Sequence, residues 1–395
     1  MLWRQEIEMD YEKAYKNSYD EYLKYKSLYL EEALEKETKL ILQDFGGEYI
    51  SVEQYEDIIL PFWKKYNKKP KKFWFDVFGA RDKIVEPRFL PTDLYFNEVL
   101  TYLNNLPMRF AVADKCTYDF RMNDIKKPKT ICKCTAGFYY DANMNIITRE
   151  EAIKKCLSYD GMMIIKPSIY SSKSRNVHII DPTMANEKDI DTLFKNIGMY
   201  FIVQQMIEQH IELSNLNKDA TNIIRVSSLL LENGDVYIPH MVLRIGGPNQ
   251  KIVGQGSGGW ECEIKRDGSL NKKMLALNTK FYKDEAGNEC VSSEIKWQPT
   301  IEKARLESGY KIPSIDKLCI AVKVAHKQLP HFRWIGWDFT IDIEGNPILI
   351  EYNLAPGFRG SQLDACKPIF GEKTEEIYDE CYLHQRFKID SSKWI

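Results

Sequence analysis

Three oxygen-bearing side chains lie on two apolar runs near the C-terminal end of the sequence. Asp338 belongs to the first run, and Glu351 and Asn353 end the second. Residues two apart on a strand share a face, and a hairpin turning at Gly345 would bring Asp338 alongside the other two. Oxygen ligands of this kind suit Mg²⁺ held between protein carboxylates and nucleotide phosphates. The alternative is a surface hairpin with solvated acids, which the apolar flanking residues disfavour.

Two lysines could meet phosphate groups opposite these acids. Lys166 ends a predicted strand and is fixed by Pro167, so its ammonium group emerges at the strand end. Lys115 follows Asp114 after a short apolar run. The segment after Lys166 is small and rich in hydroxyl groups, and its backbone N–H groups and hydroxyls could close over phosphate oxygens. Its serines include Ser168, Ser171 and Ser172.

Arg225 and Arg244 lie among apolar neighbours on the two arms of a hairpin predicted at Asn233-Gly234. An arginine in such a position needs an anionic partner. One interpretation is a clamp on a transferring phosphoryl group or a substrate carboxylate. The other is a structural salt bridge to an acid in the core. Both interpretations stay open on the sequence alone.

The elements that must position these residues follow from hydrophobic periodicity. Beyond about residue 111 the chain alternates strands with helices, which predicts an α+β fold with antiparallel pairs. The predicted strands are 162–166, 176–180, 200–205, 223–231, 236–244 and the C-terminal pair, and the predicted helices are 149–157, 187–196 and 314–328. We find no internal repeat.

The N-terminal part of the chain has a different pattern. Tyrosines recur at helical spacing from Tyr11 to Tyr29, which indicates a packing face, and charged helical sequence continues to about Leu60. Pro61 and later prolines are then expected to break the helix. Four lysines around Pro70 suggest a solvated loop rather than a nucleic-acid patch, because no alternating aromatic residues accompany them.

Composition excludes several functional classes. A net charge of −2 provides no general attraction to nucleic acid or anionic membrane, and 44% hydrophobic residues suffice for a real core. No apolar run is long enough to cross a bilayer, and the first residues do not resemble a secretory signal, so we expect a cytoplasmic protein. Nine scattered cysteines indicate reduced thiols rather than disulfides or a zinc site.

One glycine-rich motif is not interpreted as a dinucleotide site. Residues from Gly254 to Gly259 match G-x-G-x-x-G, but the sequence from Trp260 to Gly268 predicts a hairpin where a Rossmann site needs a helix. The histidines at 210, 240, 326 and 331 lack zinc-hydrolase spacing, and no G-x-S-x-G nucleophile motif occurs.

The order of these motifs resembles the ATP-grasp superfamily, and most of all its sugar-transfer-associated branch of bacterial proteins linked with exopolysaccharide and capsule synthesis. The resemblance covers roughly residues 95 to 356. It rests on Asp114-Lys115, Met163-Ile-Ile-Lys166-Pro167, Phe201-Ile-Val-Gln204-Gln205-Met-Ile-Glu-Gln-His210, Asn222-Ile-Ile-Arg225, Leu243-Arg244, Ile335-Gly-Trp-Asp338 and Ile350-Glu351-Tyr-Asn353.

The resemblance implies a role for each matching position. Lys115 and Lys166 would contact ATP phosphates, and Asp338, Glu351 and Asn353 would hold two Mg²⁺ ions. The adenine hinge would consist of Gln204, Gln205, Met206 and Ile207, with His210 or Glu212 near the ribose. The chain departs from the branch in its serine-rich phosphate loop and in lacking an Asp-Asn pair before Gly258-Gly259, so contacts to the acceptor substrate are not carried over.

We therefore expect an ATP-grasp fold whose two α+β lobes clasp ATP, preceded by a helical N-terminal region. The expected division is a helical region at 1–95, a first lobe at 96–205, and a second lobe with the metal site and a C-terminal extension at 206–395. The expected activity is a carboxylate–amine ligase that uses ATP and Mg²⁺ and forms an amide through an acyl phosphate.

The carboxylate would belong to a uronic acid or a sugar-linked substrate of surface polysaccharide synthesis, by analogy with the branch. Two other functions remain open. One is a kinase of the same fold that phosphorylates a hydroxyl group. The other is an inactive glycan-binding or scaffold protein, which the presence of the acids disfavours. The sequence does not specify the oligomeric state.

Overall fold

A computed structural model describes residues 35, 39, 41–43, 45–169, 176–246, 253, 259–271, 273–283, 289–299, 310–357 and 359–384. The predicted tyrosine stripe, Ser171, Ser172 and most of the glycine-rich motif lie outside the described residues.

The described strands form two antiparallel sheets. The first sheet has the order β3-β2-β1-β6-β4-β5 and the second has the order β11-β10-β9-β8-β7-β12-β13. The strands of the first sheet are β1 (Thr130–Thr135), β2 (Phe138–Tyr140), β3 (Ile146–Ile147), β4 (Met163–Pro167), β5 (His178–Ile180) and β6 (Phe201–Gln205). Those of the second are β7 (Ile223–Leu230), β8 (Val236–Gly246), β9 (Gly259–Glu263), β10 (Lys273–Lys283), β11 (Glu289–Pro299), β12 (Trp334–Ile341) and β13 (Pro347–Asn353).

Helices occupy both ends of the described chain and the connections between strands. The α-helices are Val52–Gln54, Leu60–Lys64, Phe73–Gly79, Thr92–Leu94, Leu100–Leu103, Arg109–Val112, Tyr118–Arg121, Arg149–Leu157, Glu187–Ile197, Ile211–Ser214, Ile315–Lys327, Arg359–Ala365 and Thr374–Asp379. Short 3₁₀ helices are Leu106–Met108, Lys115–Thr117 and Gly371–Lys373, and π-helical turns are Tyr55–Ile59, Tyr95–Val99 and Glu380–His384.

The predicted α+β pattern with antiparallel pairs is confirmed. The predicted strands and helices between residues 149 and 328 lie within two residues of the observed ones. The predicted hairpin after Gly259 is also confirmed, because β9 pairs antiparallel with β10 across a turn at Gly268, whose φ is +84°. A left-handed backbone there favours glycine.

The prediction that Pro61 ends the N-terminal helix is wrong. Helical backbone continues through Pro61 to Lys64. The preceding turn is π-helical, and Leu60 donates its backbone N–H to the carbonyl of Tyr55. This places Pro61 in the first turn of the next α-helical segment, where a missing N–H group costs little.

The lysine-rich segment around Pro70 is a loop, but it is not simply solvated. Lys68 forms an ion pair with Glu98 at 2.6 Å, and Lys72 forms one with the buried Asp76 at 2.8 Å. Lys71 pairs with Glu35. Three of the four lysines in this segment are therefore paired with acids.

Three hydrophobic clusters underlie this architecture. One lies beneath the first sheet, a second beneath the second sheet, and a third joins the helices of residues 41–103 to those of residues 363–381. In the third, the ring of Tyr378 lies 5.2 Å from that of Trp63 and 5.8 Å from that of Tyr66, measured between centroids. The N-terminal helices therefore depend on the C-terminal ones for their core.

Cysteines contribute to these cores as thiols. All eight of the cysteines that the structure describes in full are free, and seven of them are buried. Within the described part of the chain, no helix has the length and apolar character required to cross a bilayer.

Candidate functional site

A row of charged side chains crosses one face of the second sheet. Arg225 on β7 is the register partner of Asp338 on β12, which is in turn the partner of Glu351 on β13. Residues directly opposite on antiparallel strands share a face, so the three side chains lie side by side. Gly336 and Asn353 form the neighbouring pair on the same face. The structure thus brings the three predicted metal ligands together.

A bulge in β13 makes this arrangement compatible with a hydrophobic core. Asp338 pairs with Glu351 but Phe339 pairs with Leu349, so Ile350 is an extra residue on β13. The extra residue resets the alternation of side chains. Leu349 can then face the core with Phe339, while Glu351 faces the opposite side with Asp338.

Asp338 is held by a bidentate ion pair. Nε of Arg225 donates to Oδ1 of Asp338 at 2.5 Å, and Nη2 donates to Oδ2 at 2.7 Å. Asp338 is only 3% exposed, and burial of a carboxylate requires such a partner. Burial opposes the charged form of Arg225, but the carboxylate of Asp338 more than offsets this and raises the pKa of the guanidinium.

Arg244 is also paired with an acid. Its Nε lies 2.7 Å from Oε1 of Glu261 on β9, and its Nη1 lies 3.9 Å from Oδ1 of Asp338. Both arginines therefore have the core acids that the structural interpretation requires. Their predicted role as a clamp on a substrate stays a prediction.

The two predicted phosphate-binding lysines lie beside this row of charges. Nζ of Lys115 lies 3.2 Å from Oε2 of Glu351. Lys166 lies in β4, and both lysines are buried, at 7% and 8% exposure. The backbone N–H of Lys115 donates to the carbonyl of Ser168, two residues after Lys166, at 3.1 Å. This bond holds the segments that carry the two lysines next to each other.

Burial and close packing of these charged groups shift their pKa values. Burial and, to a smaller extent, the neighbouring ammonium of Lys115 lower the pKa of Lys166 to about 8, against the attraction of Glu351. Burial alone would raise the pKa of Glu351, but Lys115, Lys166 and Arg225 outweigh it and lower the pKa to about 2. Glu351 is therefore a carboxylate over the whole physiological pH range, ready to bind a cation.

Asn353 completes the set of oxygen-bearing groups. Its side-chain Nδ2 is buried and has no hydrogen-bond partner among the described residues, which is costly unless a ligand is present. Also within the described residues, no three side chains of His, Cys, Asp or Glu form a metal-binding group. Two carboxylates and one amide fit Mg²⁺ when phosphate oxygens and water supply the remaining ligands.

The predicted adenine hinge is the connection between the two sheets. Gln204 is buried at the end of β6, and Gln205 is exposed. The backbone N–H of Met206 donates to the carbonyl of Met162 at 2.9 Å, so this residue is tied to the first lobe. Ile207 follows, partly buried, and the chain then crosses to the second sheet.

The two residues predicted near the ribose follow this crossing. The backbone N–H of His210 donates to the carbonyl of Ile341 on β12 at 2.8 Å. Its Nδ1 accepts the backbone N–H of Glu212 at 3.2 Å and caps the short helix Ile211–Ser214. The carboxylate of Glu212 remains partly exposed.

Ser168 differs in placement from a phosphate-covering serine. It is fully buried, and its backbone N–H and carbonyl are bonded to Tyr200 and Lys115. Its buried hydroxyl has no hydrogen-bond partner in the described part of the chain. In this structure Ser168 supports Lys115 through its backbone.

Two residues of the site were not singled out by sequence reasoning. Glu261 neutralises Arg244 and lies in the apolar strand β9, so an acid in an apolar run was its only signal. Gly336 leaves room for Pro356, because a Cβ atom at this position would lie only 2.9 Å from Cβ of Pro356, and it would also touch Nη1 of Arg225 at 3.4 Å. A glycine inside a strand is a known sign of close approach.

The model of the sugar-transfer associated ATP-grasp family matches residues 104–376, more than two thirds of the chain. No curated protein matches the sequence.

Solved structures that match the chain are distant from it. VanG D-Ala:D-Ser ligase from Enterococcus faecalis is 14% identical over 67% of this chain and 61% of its own, with a TM-score of 0.37. D-cycloserine synthetase DcsG is 13% identical over 72% of this chain and 74% of its own, with a TM-score of 0.35. D-alanyl-alanine synthetase A from Vibrio cholerae O1 biovar eltor is 16% identical over 70% and 65%, with a TM-score of 0.36.

Similarities this distant carry no information on substrate or activity. The chain spans about three fifths of VanG, so much of that protein lies outside the match. The family match is of a different kind, because it extends from the residues before Lys115 to those beyond Asn353. It confirms the predicted ATP-grasp fold, and the protein belongs to the sugar-transfer associated ATP-grasp family.

Proposed function

We propose that the protein is an ATP-dependent carboxylate–amine ligase that forms an amide through an acyl phosphate. One observation supports this most directly. Nζ of Lys115 lies 3.2 Å from Glu351, the ammonium of Lys166 also acts on the charge of Glu351, and Glu351 shares its face of the second sheet with Asp338 and Asn353, so cationic and oxygen-bearing groups converge. Such a junction suits a nucleotide whose phosphates need ammonium groups on one side and a metal ion on the other.

In the proposed reaction, an oxygen of the substrate carboxylate attacks the γ-phosphorus of ATP, and ADP leaves. An amine then attacks the carbonyl carbon of the acyl phosphate, inorganic phosphate leaves with the bonding electrons, and the amine loses a proton. Lys115 and Lys166 offset negative charge on the phosphoryl group during transfer. Since Lys115 pairs with Glu351 in the free protein, it must exchange this carboxylate for a phosphate oxygen when ATP binds.

That exchange would leave Glu351, with Asp338 and Asn353, to bind Mg²⁺. A bound Mg²⁺ ion would neutralise charge that develops on the phosphates. Arg225 holds Asp338 in position for this role through its bidentate contact. No covalent enzyme intermediate is needed, because the acyl phosphate is the activated species.

We propose a uronic acid or another sugar-linked carboxylate as the first substrate and an amino acid or amino alcohol as the second. The family's association with sugar transfer supports this choice. We further propose that the protein acts in surface polysaccharide synthesis on the cytoplasmic side of the membrane. The proposed domain boundaries lie near residues 95 and 205.

Oxygen tracing tests the reaction type. The purified protein is incubated with ATP, Mg²⁺ and a panel of uronic acids labelled with ¹⁸O in the carboxylate, with hydroxylamine as a general amine. A ligase produces a hydroxamate and transfers one ¹⁸O atom to inorganic phosphate. A kinase produces ADP and a sugar phosphate ester without releasing phosphate, which would replace the ligase proposal. Absence of any ATP-dependent product with the whole panel would contradict the proposed substrate class.

A further inference from the structure

The short segment that carries Lys115 is embedded in both lobes. This bridging segment, residues 115–121, consists of the 3₁₀ helix Lys115–Thr117 and the helix Tyr118–Arg121. Asp114 begins it by accepting the backbone N–H of Cys116 at 2.9 Å. Neither helix is long enough to be stable alone, so its geometry depends on its neighbours.

Contacts to the second sheet fix one side of the bridging segment. The ring of Tyr118 stacks on that of Tyr352 at 4.5 Å between centroids and 16° between planes. The hydroxyl of Tyr118 accepts the backbone N–H of Tyr352 at 3.3 Å. Tyr352 lies between Glu351 and Asn353 on β13, so this stack ties the segment to the strand that carries the predicted metal ligands.

A fully buried lysine fixes the other side. Lys133 lies in the middle of β1, at the register positions of Tyr140 on β2 and Ile202 on β6, and is 0% exposed. Its Nζ donates to Oδ2 of Asp119 at 2.8 Å and to the backbone carbonyl of Cys116 at 3.2 Å. One ammonium group therefore holds both helices of the bridging segment.

A contribution to stability alone does not explain why the ammonium of Lys133 lies in the interior of the first sheet. Lys133 is fully removed from water while Asp119 keeps 22% of its side chain exposed, and the cost of burying such a charge can exceed the attraction between the partners. An apolar side chain of similar length would fill the interior of the first sheet without that cost. What an apolar side chain cannot supply is a directional contact to residues 116 and 119.

We infer that Lys133 is a positioning residue that sets the location of Lys115 relative to Glu351 and the nucleotide phosphates. The carbonyl that Lys133 holds belongs to the residue directly after Lys115. Lys115 itself is held at its backbone N–H by Ser168. A shift of the segment would move the ammonium of Lys115, whose contact to Glu351 is 3.2 Å. This inference rests on the proposed contact between Lys115 and ATP.

A double-mutant cycle separates positioning from general stability. Lys133→Met, Lys115→Met and the double variant are compared with the wild type by calorimetric titration with a non-hydrolysable ATP analogue and by thermal melting. We expect Lys133→Met to weaken binding about fivefold in the wild-type background and to have almost no effect once Lys115 is replaced, as for residues that act through one another. The decrease in Tm should be the same in both backgrounds.

Two further variants control for misfolding and for a general loss of stability. Asp119→Asn keeps the shape of the contact and weakens only its charge, so it should change affinity in the same direction if Lys133→Met does not fold. Lys72→Met removes another lysine paired with a buried aspartate, in the N-terminal helices, and should lower Tm without changing affinity.

The outcomes are distinguishable. Equal losses of affinity from Lys133→Met in both backgrounds, or no loss at all, would overturn the positioning inference while leaving the proposed function intact. If Lys115→Met alone leaves affinity unchanged, the proposed phosphate contact fails and the inference fails with it.

Discussion

The affinity of the protein for ATP should fall steeply above pH 8, because Lys166 loses its proton there. Its pKa is lowered to about 8, by burial first and by Lys115 second, whereas a solvated lysine titrates near 10.4. Phosphate groups of a bound nucleotide favour the ammonium form. The free protein must therefore take up a proton on Lys166 to bind ATP at high pH.

The size of the effect follows from this pKa. With a pKa of about 8, the ammonium form makes up about nine tenths of the free protein at pH 7 and about one tenth at pH 9. If only that form binds, the apparent Kd rises about tenfold over this interval. The terminal phosphate of the nucleotide has a pKa of about 6 and is already ionised throughout, so it contributes little.

Calorimetric titration with a non-hydrolysable ATP analogue measures both consequences. Apparent Kd is determined from pH 7 to pH 9, and proton uptake at pH 8 is obtained from buffers that differ in ionisation enthalpy. We expect uptake of about half a proton per nucleotide at pH 8. Lys166→Met should bind weakly at every pH and show no uptake, whereas Lys166→Arg should keep its charge and lose the pH dependence.

A flat affinity profile between pH 7 and pH 9 in the wild type, with no proton uptake at pH 8, would refute this reasoning. Such a result would mean either that Lys166 is not close to the phosphates or that it remains charged in the free protein. Affinity of Lys166→Met distinguishes the two, since only the first leaves it equal to that of the wild type at pH 7.

Three further predictions concern stability. Arg225→Ala should lower the free energy of unfolding by about 3 to 5 kcal/mol, because it leaves Asp338 buried without its partner, and Arg225→Lys should lower it less. Equal ATP turnover by Arg225→Lys and the wild type would contradict the role of Arg225 as a clamp on the substrate. Burial lowers the pKa of His326 to about 4, so a drop from pH 7.5 to pH 5 should reduce the free energy of unfolding, measured in urea, by about 2 kcal/mol through this group, and His326→Gln should remove that contribution. Gly336→Ala should lower the stability measured by thermal melting by about 1 to 3 kcal/mol, whereas Gly357→Ala should cause no loss from crowding, because the space around its Cβ is open. Similar losses of stability for the two variants would contradict the predicted close contact at Gly336.

The sign of the His326 effect follows from its contacts. The carbonyl of Phe332 can only accept a hydrogen bond, so Nε2 carries the proton, and Nδ1 accepts the hydroxyl of Ser228. The folded protein therefore holds the neutral ring. Below its ordinary pKa of about 6.5 the unfolded chain binds a proton that the folded chain excludes, and stability is lost as the pH falls towards 4.

Local patterns in the sequence were sufficient to predict that three oxygen-bearing side chains share a face. Asp338, Glu351 and Asn353 lie on two strands joined by one short turn, so a period of two and a glycine turn determine their proximity. The ion pair of Arg225 with Asp338 joins residues 113 positions apart. It depends on β7 lying beside β12, a choice of strand order that no local pattern contains.

Other features could not be predicted because tertiary contacts outweigh local signals. Strand β1 was not identified, since Lys133 interrupts its apolar run and only the contact to Asp119 makes a buried lysine acceptable there. The bulge at Ile350 was also not foreseen. It is needed because Leu349 and Glu351, two residues apart on β13, must face opposite sides of the sheet. The helix continues past Pro61 through a π-helical turn that no pattern in the sequence predicts.

The shared core of N-terminal and C-terminal helices has a consequence for synthesis on the ribosome. The hydroxyl of Tyr66 donates to Asp379 at 2.8 Å, across 313 residues of sequence. At about 5 to 20 residues per second, roughly 15 to 60 s pass between translation of these two positions. During that time Trp63, Tyr66 and their aromatic neighbours lack the rings that will cover them. The nascent chain is therefore expected to need chaperone protection until its last helices emerge, and premature termination before residue 374 would yield an aggregation-prone product.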